Sequence, residues 1–118
     1  MAEGVHQLRE ALRARPDWPA ALNTLAGILA THPNGQFRDG AEAVRLAERS
    51  CALTGQKNAA LLDTLAAAYA EAGQFDKALA TVQKIRELPP TSVPPGLLEK
   101  LEQRAQLYQA GKPYRQPQ

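Results

Sequence analysis

One cysteine and two histidines are the first residues to weigh for chemistry, and they stand apart. Cys51 has no second cysteine with which to form a disulfide or a metal framework. It follows Ser50 in an apolar-periodic segment with no base within a helical turn, so it reads as a packed structural thiol. His6 and His32 lack carboxylate or cysteine neighbours at ligand spacing, and a zinc site needs several converging ligands. His32 precedes Pro33 and reads as a turn residue. The stretch GQFRDG at 35–40 lacks the Lys-Ser/Thr ending and the preceding strand of a phosphate loop. Asp63 and Glu71 lie more than a turn apart on one helix, and nothing encloses them as acid–base work requires. These residues imply no catalytic constellation, no metal and no cofactor, and therefore no enzyme.

Charge points to no special partner. The net charge is +2, and acids and bases alternate along the chain. Arg9, Arg13 and Arg15 cluster near the start, but Glu3 and Glu10 share their segment. A nucleic-acid surface would want a one-signed stripe with interleaved aromatics, so none is expected. No apolar run of about 18 residues exists to insert in a membrane. The N-terminus carries Glu3 and His6 with no apolar core segment, so it does not read as a secretory signal. The lone cysteine is compatible with the cytoplasm, the favoured compartment.

The elements that position these residues are read from periodicity. Residues 59–90, AALLDTLAAAYAEAGQFDKALATVQKIRELPP, form two amphipathic segments joined at Gly73 and closed by proline. Leu62, Leu65, Ala66 and Tyr69 recur at three- and four-residue steps, which places them on one helical face. Ala78, Val82 and Ile85 do the same in the second segment. A helical hairpin of this size cannot bury its apolar face alone and must stack on a similar unit.

The spacing resembles the tetratricopeptide repeat (TPR), a unit of about 34 residues. Its signature positions fall on Leu62, Leu65, Ala66, Tyr69, Ala78, Val82 and Pro90, with Gly73 and Phe75 at the turn. Leu62 stands where the family usually has Trp, and Ala66 where Gly is frequent. An earlier copy spans 19–54. Leu22, Leu25, Ala26 and Leu29 repeat the first-helix spacing, and Ala43, Ala47 and Leu53 align with Ala78, Val82 and Leu88. Its joint, THPNGQFRDG, is longer than AEAGQFD, and Pro33-Asn34-Gly35 marks a turn there. Asp39 is placed to cap the following helix.

Residues 2–16 read as the second half of a still earlier repeat, with Gly4, Leu8 and Ala11 at small–large–small spacing and Pro16 as its end. The start in mid-repeat suggests a piece of a longer array. PPTSVPP at 89–95 breaks the helical pattern. Leu98, Leu101, Ala105 and Tyr108 then form the stripe of a capping helix at 96–110, stopped by Gly111. The expectation is one all-α domain over 1–111, an α-α superhelix of stacked antiparallel helix pairs with about six helices. KPYRQPQ at 112–118 follows as a flexible tail.

In the family, the first helix of each pair lines a concave face where polypeptide segments dock. The resemblance places Asn23, Gly27 and Ala30 of the earlier hairpin on that face, with Ala60, Asp63, Ala67 and Ala70 of the later one. Glu99, Glu102 and Gln106 extend it if the last helix stacks in register. That face is neutral to acidic, which favours a basic or apolar protein or peptide over a carboxylate clamp. It also makes Asp63→Arg a variant expected to weaken a basic partner without harm to the fold. The resemblance implies a non-catalytic protein–protein interaction module. The rival readings are the C-terminal array of a larger bacterial enzyme, for example a glycosyltransferase, and a scaffold that self-assembles through the apolar edge at 5–12.

Overall fold

The computed structural model describes residues 2–116, with Ala2 and Glu3 described by their backbone alone. Six α-helices follow one another: α1 (Ala2–Ala14), α2 (Pro19–Thr31), α3 (Gly40–Leu53), α4 (Ala59–Glu71), α5 (Phe75–Arg86) and α6 (Leu97–Gln109). Short 3-10 turns at Gly35–Phe37 and Pro90–Ser92 interrupt the two longest joints. There is no strand among the described residues. No helix among them is long and apolar enough to cross a membrane.

Local chemistry sets the helix ends. Pro19 opens α2, where its missing amide is no loss. The side chains of Asp39 and Asn58 cap α3 and α4, accepting the Glu42 and Leu61 amides at 3.1 Å each. Gly73, at φ +79°, ends α4 in a left-handed turn. That turn lets the Gln74 amide reach back to the Tyr69 carbonyl at 2.8 Å. Gly111, at φ +71°, closes α6 the same way, with the Lys112 amide on the Leu107 carbonyl at 2.9 Å.

The helices stack as antiparallel pairs. The α2/α3 pair and the α4/α5 pair meet where α4 packs on both α2 and α3, while α6 continues the stack on α5 and α1 rests on α2. Side chains on the seam are small: Ala26, Ala43, Ala66, Ala68 and Ala78 are each 0% exposed, so backbones approach closely. Leu22, Leu25, Leu62 and Leu65 fill the remaining space and are all buried. Each such leucine contributes about 2 kcal/mol of apolar burial.

The two copies differ at specific points. Leu53 is 44% exposed and does not match the half-buried Leu88, because Ser50 and Cys51 occupy the interior at the end of α3. Ser50 satisfies its buried hydroxyl by donating to the Pro19 carbonyl at 3.0 Å. Leu29 is buried, whereas Tyr69 at the corresponding place is half-buried and donates its hydroxyl to Glu48 at 2.7 Å.

The tail departs from the expectation of a flexible end. After the Gly111 turn, residues 112–116 run back over the stack, and the Gln116 amide bonds the Thr31 carbonyl at 2.8 Å. Pro117 and Gln118 lie outside the described residues.

A candidate polypeptide groove across the second, fourth and sixth helices

Stacking brings the first helices of successive units side by side, and a polar groove opens between them. Its cavity is about 130 Å³. Gly27 and Thr31 of α2, Asp63, Thr64 and Ala67 of α4, and Arg104 of α6 line it, with Tyr114 and Gln116 across one end. Gly27 widens it, since a Cβ there would meet no atom within 4 Å. Thr31 turns its hydroxyl onto the Gly27 carbonyl at 2.6 Å, while its own carbonyl, at the helix end, accepts from the Gln116 amide.

Of the residues expected on this face, Gly27, Asp63 and Ala67 come together. Ala30 and Ala70 are 0% and 1% exposed and lie in the core instead. Ala60, near the start of α4, is exposed but outside the groove. Asn23 is half-buried one turn before Gly27, and its side-chain oxygen is buried without a hydrogen-bond partner.

The contribution of α6 differs from the expected one. Glu102 pairs with Arg86 of α5 at 2.7 Å, on the side away from the groove, and neither Glu99 nor Gln106 lines the cavity. Arg104 faces it and pairs with Asp63. The register of α6 on α5 is set by Leu101, Ala105 and Tyr108, all buried, and that register aims position 104 at α4.

Charge in the groove is therefore matched within it. Burial works against the Arg104 cation, but the hydrogen bond and charge of Asp63 outweigh it and hold its pKa above the usual value. One Asp63 carboxylate oxygen remains buried and unpartnered. Glu71, at the end of α4, is met from two directions, by Arg38 of the α2–α3 joint at 3.6 Å and by Arg115 of the tail at 2.5 Å. The buried Tyr108 hydroxyl lacks a partner, and burial followed by the nearby Asp63 charge pushes its pKa up. Asp63 thus has a role in the fold. Asp63→Arg would set two guanidinium groups together, so the variant is expected to destabilise the stack and does not report on a partner alone.

Thr31, Thr64, Arg104, Tyr114 and Gln116 were not expected on this face. Thr31 and Thr64 follow Gly27 and Ala60 by four residues, so first-helix periodicity carried one turn further finds them. Arg104 needs the α6 register, and Tyr114 and Gln116 need the return of the chain.

A second concavity lies between α1 and α2. It measures about 500 Å³ and is lined by Leu8, Ala11, Trp18, Ala21 and Ile28 among others. Its character is apolar, unlike the groove.

Chemistry elsewhere is muted. Burial, with minor charge effects, pushes the Cys51 thiol up to about 11, so it is a neutral packed group at ordinary pH. No group of three His, Cys, Asp or Glu that could hold a metal occurs among the described residues.

The fold and groove define a class, an all-helical stack of repeated helix pairs with a polar cleft. Comparison of the chain with family models, curated proteins and solved structures gives no match.

Proposed function

We propose that this chain is a TPR-type interaction module that binds an extended polypeptide segment in the groove and performs no reaction of its own. What supports the reading is the groove's composition. Three helices from successive units converge on it with small side chains for room and with a buried carboxylate oxygen of Asp63 that lacks a partner. Buried acceptors without donors cost free energy, and backbone amides of an incoming segment would recover it. A few such bonds with modest apolar burial give micromolar affinity, about 8 kcal/mol.

Selection of a displayed random peptide library on the immobilised chain tests this. Thr64→Leu fills the groove from a half-buried position and adds no charge beside the Asp63–Arg104 pair, so it serves as the counter-selection. Peptides retained by the parent chain and lost on the variant are the expected result. A library that enriches equally on both, or on neither, refutes the reading.

Self-association is a second reading, favoured by the apolar cavity between α1 and α2. A mass in solution that stays monomeric over a concentration series refutes it.

A further inference from the structure

The C-terminal segment makes three contacts in and beside the groove, each of a different kind. The Tyr114 ring lies 4.3 Å from the Arg104 guanidinium, a cation–π contact. Arg115 pairs with Glu71 at 2.5 Å. The Gln116 amide donates to the Thr31 carbonyl at 2.8 Å, at the electronegative end of α2. Residues 112–116 adopt no regular secondary structure, so this is how a non-helical segment sits there. We propose that Tyr114-Arg115-Gln116 is a resident ligand of the groove, and that the partner carries an extended aromatic–arginine segment that binds by displacing it. This rests on the polypeptide-groove reading above.

The groove's charges select that chemistry. Glu71 offers a carboxylate to a cation even while Arg38 holds its other side at 3.6 Å. Arg104, fixed by Asp63, presents its flat face to a ring. An acidic segment would leave Glu71 without the cation that Arg115 supplies. The contacts that hold the tail lie at the rim, with Tyr114 and Arg115 half-buried and Gln116 exposed, so the closed state is exchangeable. A short tether gives an effective concentration of about millimolar. The tail's rim contacts are fewer than those of a full partner; at an intrinsic affinity of about 0.1 mM, the tether leaves about one molecule in ten open. A competing segment is then weakened about tenfold.

The probe is a fluorescein-labelled peptide of residues 111–116, Gly-Lys-Pro-Tyr-Arg-Gln, acetylated and amidated, read by anisotropy. The full chain carrying Tyr114→Ser with Arg115→Ser binds it about tenfold more tightly than the unaltered chain, and a scrambled peptide binds neither. Equal affinity for the two chains, or equal binding of the scrambled peptide, overturns the proposal. If the double variant loses helical circular dichroism, the unaltered chain decides. Saturating peptide then speeds hydrogen exchange at the Gln116 amide, and unchanged protection overturns the proposal. A chain that refuses this peptide yet retains library peptides sinks the resident ligand alone. One that refuses both sinks the groove reading too.

Discussion

The α2/α3 and α4/α5 hairpins bury the same helix faces but are joined in opposite ways. In the second, three residues suffice, with Gly73 turning the chain directly into α5. In the first, eight residues intervene and build a structure of their own. His32 packs at a tilt against Phe37 with ring centres 4.8 Å apart, and the Asn34 amide donates to His32 Nδ1 at 2.9 Å. Arg38 donates to the His32 and Pro33 carbonyls at 2.8 and 3.1 Å and reaches Glu71. The difference shows that the stack is specified by its seam and not by its joints. The longer joint is then free to brace the far end of α4, beside the groove.

The largest effect should leave the two hairpins alike. Leu25→Ala and Leu65→Ala remove equivalent buried side chains, and each should cost about 3 kcal/mol by denaturant unfolding. A cost confined to one of them would break the equivalence. The next effect should separate the hairpins. A Cβ on Gly40, the first residue of α3, would fall 2.8 Å from the Ala72 backbone nitrogen. Gly40→Val should therefore cost about 2 kcal/mol, although Phe75 fills the corresponding position of α5. A neutral Gly40→Val would show that α3 does not tuck beneath the end of α4.

Capping separates them again, more weakly. Asp39→Ala should cost about 1 kcal/mol in thermal melting, because its carboxylate caps α3. Gln74→Ala should cost little, since Gln74 makes no side-chain cap at the start of α5. The smallest contrast is in alkali. Burial raises the Cys51 thiol from 9.0 to about 11, so the folded state favours the neutral group. Its contribution is complete below pH 9 and fades as pH climbs through 11. Burial, then the hydrogen bond that its hydroxyl donates to Glu48, raises Tyr69 from 10.0 to about 12, so its contribution fades one step later. Cys51→Ala should flatten the first part of the decline and spare the second. An unchanged profile would place Cys51 outside the core.

Periodicity made the helices legible because burial of Leu22, Leu25, Leu62 and Leu65 depends on spacing within one helix. The caps at Asp39 and the turn at Gly73 were legible for the same local reason. The groove was legible only in part. Gly27, Asp63 and Ala67 follow from helix face, but the charge of the face does not, because Arg104 arrives from a third helix whose register depends on packing. Ala30 and Ala70 show the limit of face assignment. Small residues suit an open groove and a tight seam equally, and here the seam takes them. The tail was read from composition as unanchored. Its hold on Arg104, Glu71 and Thr31 joins residues distant in sequence, so no local pattern announces it.

Two concavities are candidates for the proposed docking, the polar groove and the apolar cleft between α1 and α2. Amide and methyl NMR shifts on titration of a library-selected peptide distinguish them directly. The account predicts saturable shifts at Thr31, Thr64, Ala67 and Arg104. Shifts gathered at Leu8, Ala11, Ala21 and Ile28 instead would contradict it.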